Sequence, residues 1–183
     1  ADAVSVLTEE SHFRGSLRDL EAARQGLRGA GLETPLLRKD FIIDPYQLVE
    51  ARVIGADAAL LIVAILTDAE LDRLLRQAAD LGLMPLVEVH DEGELRRVLP
   101  LHPPVVGINN RNLADFTVDL GTTRRLRPLI PPGIVVVSES GISAPEQMAE
   151  LARLGVDAAL IGEALVTAPD PAARLAALRE AGR

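Results

Sequence analysis

The chain has 183 residues, of which 48% are hydrophobic and 25% are charged, and its formal net charge is -8. This composition predicts one folded domain and argues against disorder, while the negative charge and the 2% content of aromatic residues disfavour nucleic acid and anionic membranes as partners. Cysteine is absent and the three histidines, His12, His90 and His102, lack metal-ligand spacing, so disulfides, thiolate chemistry and a structural metal are not expected.

Two further patterns bear on where the protein works. No apolar run reaches the roughly 20 residues that a membrane-spanning helix needs. The first residues, ADAVSVLTEE, do not have the form of a signal peptide. A cytoplasmic location is therefore predicted.

Short apolar runs alternate with helix-start signals along the chain. The run at residues 58–65 is continuously apolar, which predicts a strand buried on both faces and therefore parallel pairing. The predicted strands are residues 3–7, 36–39, 58–65, 85–89, 105–109, 134–138 and 158–162. The predicted helix starts, chosen for their capping residues, are Ser16, Asp44 with Pro45, Thr67 with Glu70, Asp91 with Glu94, the region of Asp119, Ser143 with Glu146, and Asp170 with Pro171.

One short segment is echoed later in the chain. Residues 55–62 read GADAALLI and residues 155–162 read GVDAALIG, so in both places a glycine ends a helix and a strand begins three residues later. The echo indicates either a repeated unit or the ordinary likeness of short loops between a helix and a strand. The sequence alone leaves both interpretations open.

Seven strand–helix units of one type predict an α/β fold. A closed (βα)8 TIM barrel needs eight such units, so we expect a barrel with seven of its eight βα units in this chain and the remaining unit before Ala1. The chain is accordingly interpreted as a single phosphate-binding (βα)-barrel domain over residues 1–183, incomplete at its N-terminus. The alternative is an open doubly wound sheet, but its G-x-G-x-x-G turn after the first strand is absent.

Polar residues follow the apolar runs directly. They recur at alternate positions from the last apolar side chains of each strand, so they can face the same axis as the interior of a barrel. A lysine among glutamates at the partly desolvated end of a barrel suits acid–base chemistry. Burial lowers the proton affinity of the lysine, whereas the neighbouring negative charges raise it. These strand-end residues are Lys39, Glu88, Asn109 with Arg111, residues 138–141, and Gly162 with Glu163.

Four motifs in this chain resemble those of one known family. They are LRKDFIIDPYQ at residues 37–47, PLVEVH at 85–90, GINNRNL at 107–113 and SESGI at 138–142. In order and over essentially the whole chain, they resemble indole-3-glycerol phosphate synthase of tryptophan biosynthesis. The resemblance implies a carboxy-lyase that closes the indole ring of 1-(2-carboxyphenylamino)-1-deoxyribulose 5-phosphate and releases carbon dioxide and water, with neither metal nor organic cofactor.

The resemblance also implies roles for individual residues. Lys39 is expected to be the general acid that protonates the ketone oxygen as the ring carbon attacks. Glu88 is expected to assist the later proton transfers and the dehydration. The residues expected to orient the substrate are Asn109, Arg111, Glu139 and Ser140, with Phe41 and Leu113 in apolar contact with the anthranilate ring.

A phosphate site is predicted from the last two strand ends. Barrels of this class often bind phosphate between the loops after strands seven and eight and a nearby helix N-terminus. Gly141, Gly162 and Glu163 are the predicted site, with main-chain N–H groups as donors and the Glu163 carboxylate turned away, because a carboxylate beside a phosphate is repelled. Many members of the family carry a serine after the second glycine, whereas this chain has Glu163 and Ala164.

The sequence departs from the family at its start. The resemblance places a further glutamate and a catalytic lysine in a segment of the form E-x-K-R-x-S-P-S, and these 183 residues contain no such segment. The chain alone is therefore expected to be inactive and to pair with that N-terminal segment. The alternatives are another phosphosugar isomerase or epimerase barrel, and a catalytically incomplete fragment that only binds phosphate.

Overall fold

A computed structural model describes residues 1–112 and 115–182. The chain divides into two compact units, Ala1–Val87 and Glu88–Arg183. No helix within these described ranges is long and apolar enough to cross a membrane.

The described residues form seven strands in one sheet, and each strand neighbours the next along the chain. Four neighbouring strand pairs, the first with the second, the second with the third, the fifth with the sixth and the sixth with the seventh, are parallel. A doubly wound sheet reverses its strand order at a switch point, whereas this order never reverses, so the fold is that of the (βα)8 TIM barrel with seven of its eight units. The strands are β1 Val4–Leu7, β2 Leu36–Lys39, β3 Ala58–Ile62, β4 Met84–Val89, β5 Val105–Asn109, β6 Val135–Glu139 and β7 Ala158–Leu160.

Helices separate the strands, and most begin at the predicted capping residues. The side chains of Ser16, Asp44, Thr67, Asp91 and Asp170 each accept a hydrogen bond from a main-chain N–H of the first turn. Such a cap satisfies donors that have no partner inside the helix. The helices are α1 Leu17–Gly29, α2 Pro45–Ile54, α3 Asp68–Asp80, α4 Glu92–Val98, α5 Gly121–Leu126, α6 Pro145–Arg153, α7 Glu163–Val166 and α8 Pro171–Ala181.

The core of the first unit follows the predicted pattern. From Ala59 to Ile62 every residue of β3 is buried, so both faces of that strand are covered as its continuous apolar run predicts. On α3, Leu71, Leu74 and Ala78 are buried along one stripe of the helix.

Two predicted strands end earlier in the structure than the sequence indicates. The strand at residues 58–65 ends at Ile62, because the chain turns into a 3₁₀ helix, Val63–Ile65, in which the Leu66 N–H donates to the Val63 carbonyl. The last strand ends at Leu160 rather than residue 162, since the Gly162 carbonyl accepts the N–H groups of Leu165 and Val166 and starts the unpredicted helix α7.

The predicted capping box of Ser143 with Glu146 is also wrong. Ala144 precedes α6, and the acceptor at the start of this helix is Gln147, one residue beyond the predicted glutamate. Gln147 Oε1 accepts from the N–H groups of Ser143 at 2.7 Å and Ala144 at 2.9 Å. An amide oxygen thus satisfies the donors that a glutamate was expected to satisfy.

The echoed segment has the same hydrogen bonds in both units. Gly55 and Gly155 have positive φ angles of 106° and 75° and end their helices in the left-handed conformation. Asp57 Oδ2 then accepts from the N–H of Leu36 at 2.8 Å, and Asp157 Oδ2 accepts from the N–H of Val136 at 2.8 Å. In both units the carboxylate thus bonds to the start of the preceding strand. Two short loops of similar sequence need not share this contact, so it supports a repeated unit.

Candidate active site

In the first unit, Lys39 ends β2 and is half-buried. Its neighbour Arg38 is buried and forms ion pairs with Asp40 at 2.9 Å and Glu50 at 3.3 Å. Arg38 also donates to the Gln47 carbonyl on α2 at 2.6 Å. Because side chains alternate across a strand, Arg38 pointing toward α2 leaves Lys39 on the opposite face.

The loop after Lys39 is fixed at both ends. Gln47 Oε1 accepts from the N–H groups of Ile43 at 2.8 Å and Asp44 at 3.0 Å, and its Nε2 donates to the Phe41 carbonyl at 3.0 Å. Phe41, the predicted ring contact, is 40% exposed, and its ring centroid lies 6.1 Å from that of Phe13. An apolar surface is therefore held two residues beyond Lys39.

In the second unit, Glu88 is only 2% exposed although it is a carboxylate. Its Oε1 lies 3.2 Å from His90 Nε2, and His90 Nδ1 lies 3.1 Å from Glu94 Oε2. Burial disfavours the charged form of His90, but hydrogen bonds and charge interactions with Glu88 and Glu94 outweigh it and raise the pKa of His90 to about 9. The imidazole is therefore protonated at neutral pH and lies between two carboxylates.

Asn109 and Arg111 lie at the end of β5. Asn109 is buried, and its Oδ1 accepts from the Arg111 N–H at 3.0 Å. Arg111 Nη2 lies 3.7 Å from Glu163 Oε2 at the start of α7. The structure thus brings together two predicted substrate residues and one predicted phosphate residue, and the Glu163 carboxylate, 84% exposed, faces a cation. Leu113, the other predicted ring contact, lies outside the described residues.

The turn after β6 has an unusual backbone. Ser140 and Gly141 have positive φ angles of 66° and 75°, a conformation that costs free energy for residues other than glycine. A Cβ added at Gly141 would lie 2.2 Å from Val118 Cγ1, so only glycine fits there. Glu139, which precedes this turn, is 1% exposed. Strain of this kind persists only where the surroundings hold it in place.

Asn110, which the sequence analysis did not single out, holds this turn. Its Nδ2 donates to Ser138 Oγ at 3.0 Å, to the Glu139 carbonyl at 2.9 Å and to the Ser140 carbonyl at 3.1 Å. Its Oδ1 accepts from Thr123 Oγ1 at 2.8 Å. The only signal in the sequence is a second asparagine directly after the strand-end Asn109, whose opposite parity turns it away from the face of the predicted substrate residues.

Gly162 and Glu163 differ from the predicted phosphate residue Gly141 in their surroundings. A Cβ added at Gly162 would meet no heavy atom within 4 Å, so the space beside it is open. Helix α7, only four residues long, begins at Glu163 directly after this glycine.

The chain matches one known protein family over nearly its whole length. The family model described as "Indole-3-glycerol phosphate synthase" matches residues 1–178. Two curated relatives named indole-3-glycerol phosphate synthase are that of Dehalococcoides mccartyi, 52% identical over 175 residues, and that of Streptomyces griseus, 50% identical over 182 residues. The alignments cover 96% and 100% of this chain but 67% and 66% of the relatives, so the chain spans about two thirds of their length.

A solved structure of low sequence identity supports the fold. The 3-hexulose-6-phosphate synthase of Salmonella typhimurium is 15% identical and superposes with a TM-score of 0.82 over 99% of this chain and 87% of its own. At this identity the likeness concerns the barrel fold alone. The family model and the relatives, in contrast, agree on a lyase of tryptophan biosynthesis that acts on a phosphorylated small molecule. The chain therefore belongs to the indole-3-glycerol phosphate synthase family.

Proposed function

We propose that the residues of this chain carry out the ring closure of 1-(2-carboxyphenylamino)-1-deoxyribulose 5-phosphate to indole-3-glycerol phosphate, with loss of carbon dioxide and water. The observation that carries the proposal is the family match over residues 1–178. Titratable side chains at the ends of β2, β4 and β6 support it, because the loops and strand ends on that side of a barrel hold its chemistry.

Lys39 is the proposed general acid. It is the only lysine in the sequence, and the remaining basic residues besides the histidines are arginines. Arginine does not give up its proton in a protein, whereas lysine does so readily once its surroundings favour it. A single lysine in an arginine-rich chain therefore suits a position where a proton is transferred. Its charge would also stabilise negative charge on the ketone oxygen during carbon–carbon bond formation.

Glu88 is proposed to assist the later proton transfers. After carbon dioxide leaves, the former ketone oxygen departs as water, and a carboxylate can accept the proton that is lost from the ring system in that dehydration. The buried position of Glu88 suits this role, since water would otherwise compete for the proton.

The remaining predicted residues are proposed to hold the substrate. Arg111 supplies a cation for an anionic substrate group, and the amide of Asn109 fixes the main chain beside it. Glu139 and Ser140 are proposed to bind substrate hydroxyls from the turn that Asn110 holds, and Phe41 and Leu113 to contact the anthranilate ring. Main-chain N–H groups near Gly141, Gly162 and Glu163 are proposed to bind the phosphate.

The proposal extends to the setting of the protein. We propose one phosphate-binding barrel domain, completed by pairing with an N-terminal segment of the E-x-K-R-x-S-P-S type, in the cytoplasm and without nucleic acid as a partner. Retention of the protein by DNA or RNA columns at moderate ionic strength, or its recovery in a membrane fraction, would contradict this part.

The function is tested by assaying indole-3-glycerol phosphate formation in two forms of the protein. One is the 183-residue chain, and the other is an extended form in which a family member's E-x-K-R-x-S-P-S segment precedes Ala1. The extended form is expected to release one carbon dioxide per indole formed, and the chain alone to have negligible activity, because the resemblance assigns two further catalytic residues to that segment. Absence of product from a folded extended form would overturn the proposed reaction.

The phosphate site is tested at Gly162. A valine there is expected to weaken binding of the phosphorylated substrate at least tenfold, because its side chain would fill the open space beside the main chain. Binding of the dephosphorylated substrate is expected to change little, and Gly29→Val, at a glycine with equally open space and likewise no positive φ angle, is the control. Equal affinities of wild type and Gly162→Val for both ligands would remove the phosphate from this position.

A further inference from the structure

His90 belongs to a cluster of which the proposed reaction uses only Glu88. Its ring lies between Glu88, at the penultimate position of β4, and Glu94, on α4, with 3.2 Å and 3.1 Å separating the nitrogens from the carboxylate oxygens. The side chain of His90 is 11% exposed and that of Glu88 is 2% exposed. Both nitrogens of one half-buried ring thus lie close to carboxylates.

The local sequence fixes this arrangement. Glu88 and His90 are two residues apart, so both side chains lie on the same side of the strand. Asp91 caps α4 and brings Glu94 back over the loop, where Glu94 Oε2 accepts from the main-chain N–H of His90 at 2.7 Å as well as facing its ring. The ring is therefore held in one orientation from two elements.

The chemistry of the ring decides its charge. A neutral imidazole would turn the lone pair of one nitrogen toward a carboxylate, whereas an imidazolium presents positive charge to the carboxylates at both nitrogens. The raised pKa of His90, about 9, agrees with this geometry. In the part of the chain that the structure describes, the titratable side chains acting on His90 are Glu88 of β4 and Glu94 of α4.

We propose that His90 is a positioning residue whose imidazolium, anchored by Glu94, keeps the buried carboxylate of Glu88 ionised and oriented for its part in the reaction. The proposal rests on the proposed role of Glu88. Burial alone favours the neutral carboxyl group, and a protonated Glu88 could not accept a proton. His90 offsets that effect without touching the substrate, and Glu94 prevents its ring from turning away.

The first test is an NMR titration of the His90 ring, which needs no catalytic activity. In the 183-residue chain the midpoint is expected near pH 9, and Glu88→Gln and Glu94→Gln are each expected to lower it by about one pH unit or more, as the loss of an adjacent charge should. Glu9→Gln, which removes the carboxylate beside the exposed His12, is the control and should leave the His90 midpoint unchanged. An unchanged midpoint in Glu88→Gln would overturn the proposal.

The second test is the pH profile of kcat in the extended form. His90→Gln keeps a hydrogen-bond donor but cannot carry a charge, so kcat at pH 7 is expected to fall about tenfold while KM changes less than twofold. The acidic limb is expected to move to higher pH, because Glu88 then ionises without the positive charge of His90 beside it. His12→Gln is the matched control.

The two tests separate this proposal from the proposed function. A purely structural His90 would lower the amount of folded enzyme and leave the profile of kcat in place, which would overturn the positioning role. If the extended form makes no indole-3-glycerol phosphate but Glu88→Gln lowers the titration midpoint of His90, the proposed reaction is wrong. The interaction of His90 with Glu88 is then still supported.

Discussion

Residues 36–57 of the first unit and residues 136–157 of the second are built alike but end their strands differently. In both, a proline opens the helix, and a glutamine two residues later accepts two main-chain N–H groups of the preceding loop. The same glutamine donates to a loop carbonyl, Gln47 to that of Phe41 at 3.0 Å and Gln147 to that of Gly141 at 3.3 Å.

The difference lies in the three residues at each strand end. The first segment has Lys39-Asp40-Phe41 and the second has Glu139-Ser140-Gly141. The hydrogen bonds of the glutamine are the same in both segments, so the residue that shapes the loop is separate from the residues that carry a proton, a hydroxyl or an apolar ring. A barrel can therefore change its chemistry at strand ends while the hydrogen bonds below them stay in place.

The largest expected effect is on catalysis, at the strand end of the first segment. Lys39→Met should lower kcat in the extended form about 10³-fold, since it removes both a proton donor and a charge near developing negative charge. Lys39→Arg keeps the charge but cannot release a proton, so we expect at least about a 10²-fold loss there too. Steady-state kinetics with substrate binding measured separately checks this. Retention of a third of wild-type turnover by Lys39→Met would reassign Lys39 to structure.

The next effect is on stability, at the two aspartates whose carboxylates accept a hydrogen bond from a main-chain N–H of the preceding strand. Asp57 accepts from the Leu36 N–H and also forms an ion pair with the buried Arg24, whereas Asp157 accepts from the Val136 N–H. Asp57→Ala should lower the free energy of unfolding by about 2–3 kcal/mol and Asp157→Ala by about 1–2 kcal/mol. Urea denaturation of the 183-residue chain measures both, and a larger loss at Asp157 would contradict the comparison.

The smallest effect is a gain at the start of α6. Asp44 caps α2 through its side chain, but Ala144 at the matching position has no acceptor. Ala144→Asp should therefore raise the free energy of unfolding by about 0.5–1 kcal/mol. Ala144→Leu adds bulk without an acceptor and serves as the control. A stabilisation of the same size in both variants would show that the missing cap is not the relevant difference.

Much of the fold follows from local signals in the sequence. The continuous apolar run of β3 predicts a strand buried on both faces, and residues such as Asp44, Thr67 and Asp170 predict helix starts to the residue, because their side chains satisfy donors next to them in sequence. The predicted boundaries that are wrong lie where the apolar pattern of the sequence does not change. Val63 and Ile65 are as apolar as the strand before them, yet the chain turns there toward the cap at Thr67.

The sequence indicates the candidate site residues that lie at strand ends. It does not indicate the residues that act by contacting other side chains of the site. Lys39, Glu88 and Glu139 follow directly from the end of an apolar run. Asn110 and His90 do not, since their importance lies in contacts with Ser140 and Glu94 that only the folded chain brings about. A residue that positions another side chain is marked in a single sequence neither by hydrophobic periodicity nor by a motif.

We infer that chemistry and structure are carried by different residues of the same segment. It is tested most directly by measuring kcat together with the free energy of unfolding for Lys39→Arg and Asp57→Ala in the extended form. We expect Lys39→Arg to lose at least about 10²-fold in kcat with its stability unchanged. We expect Asp57→Ala to lose about 2–3 kcal/mol of stability while kcat of the folded protein stays close to wild type. A Lys39→Arg variant with wild-type kcat, or a folded Asp57→Ala variant as slow as Lys39→Arg, would contradict it.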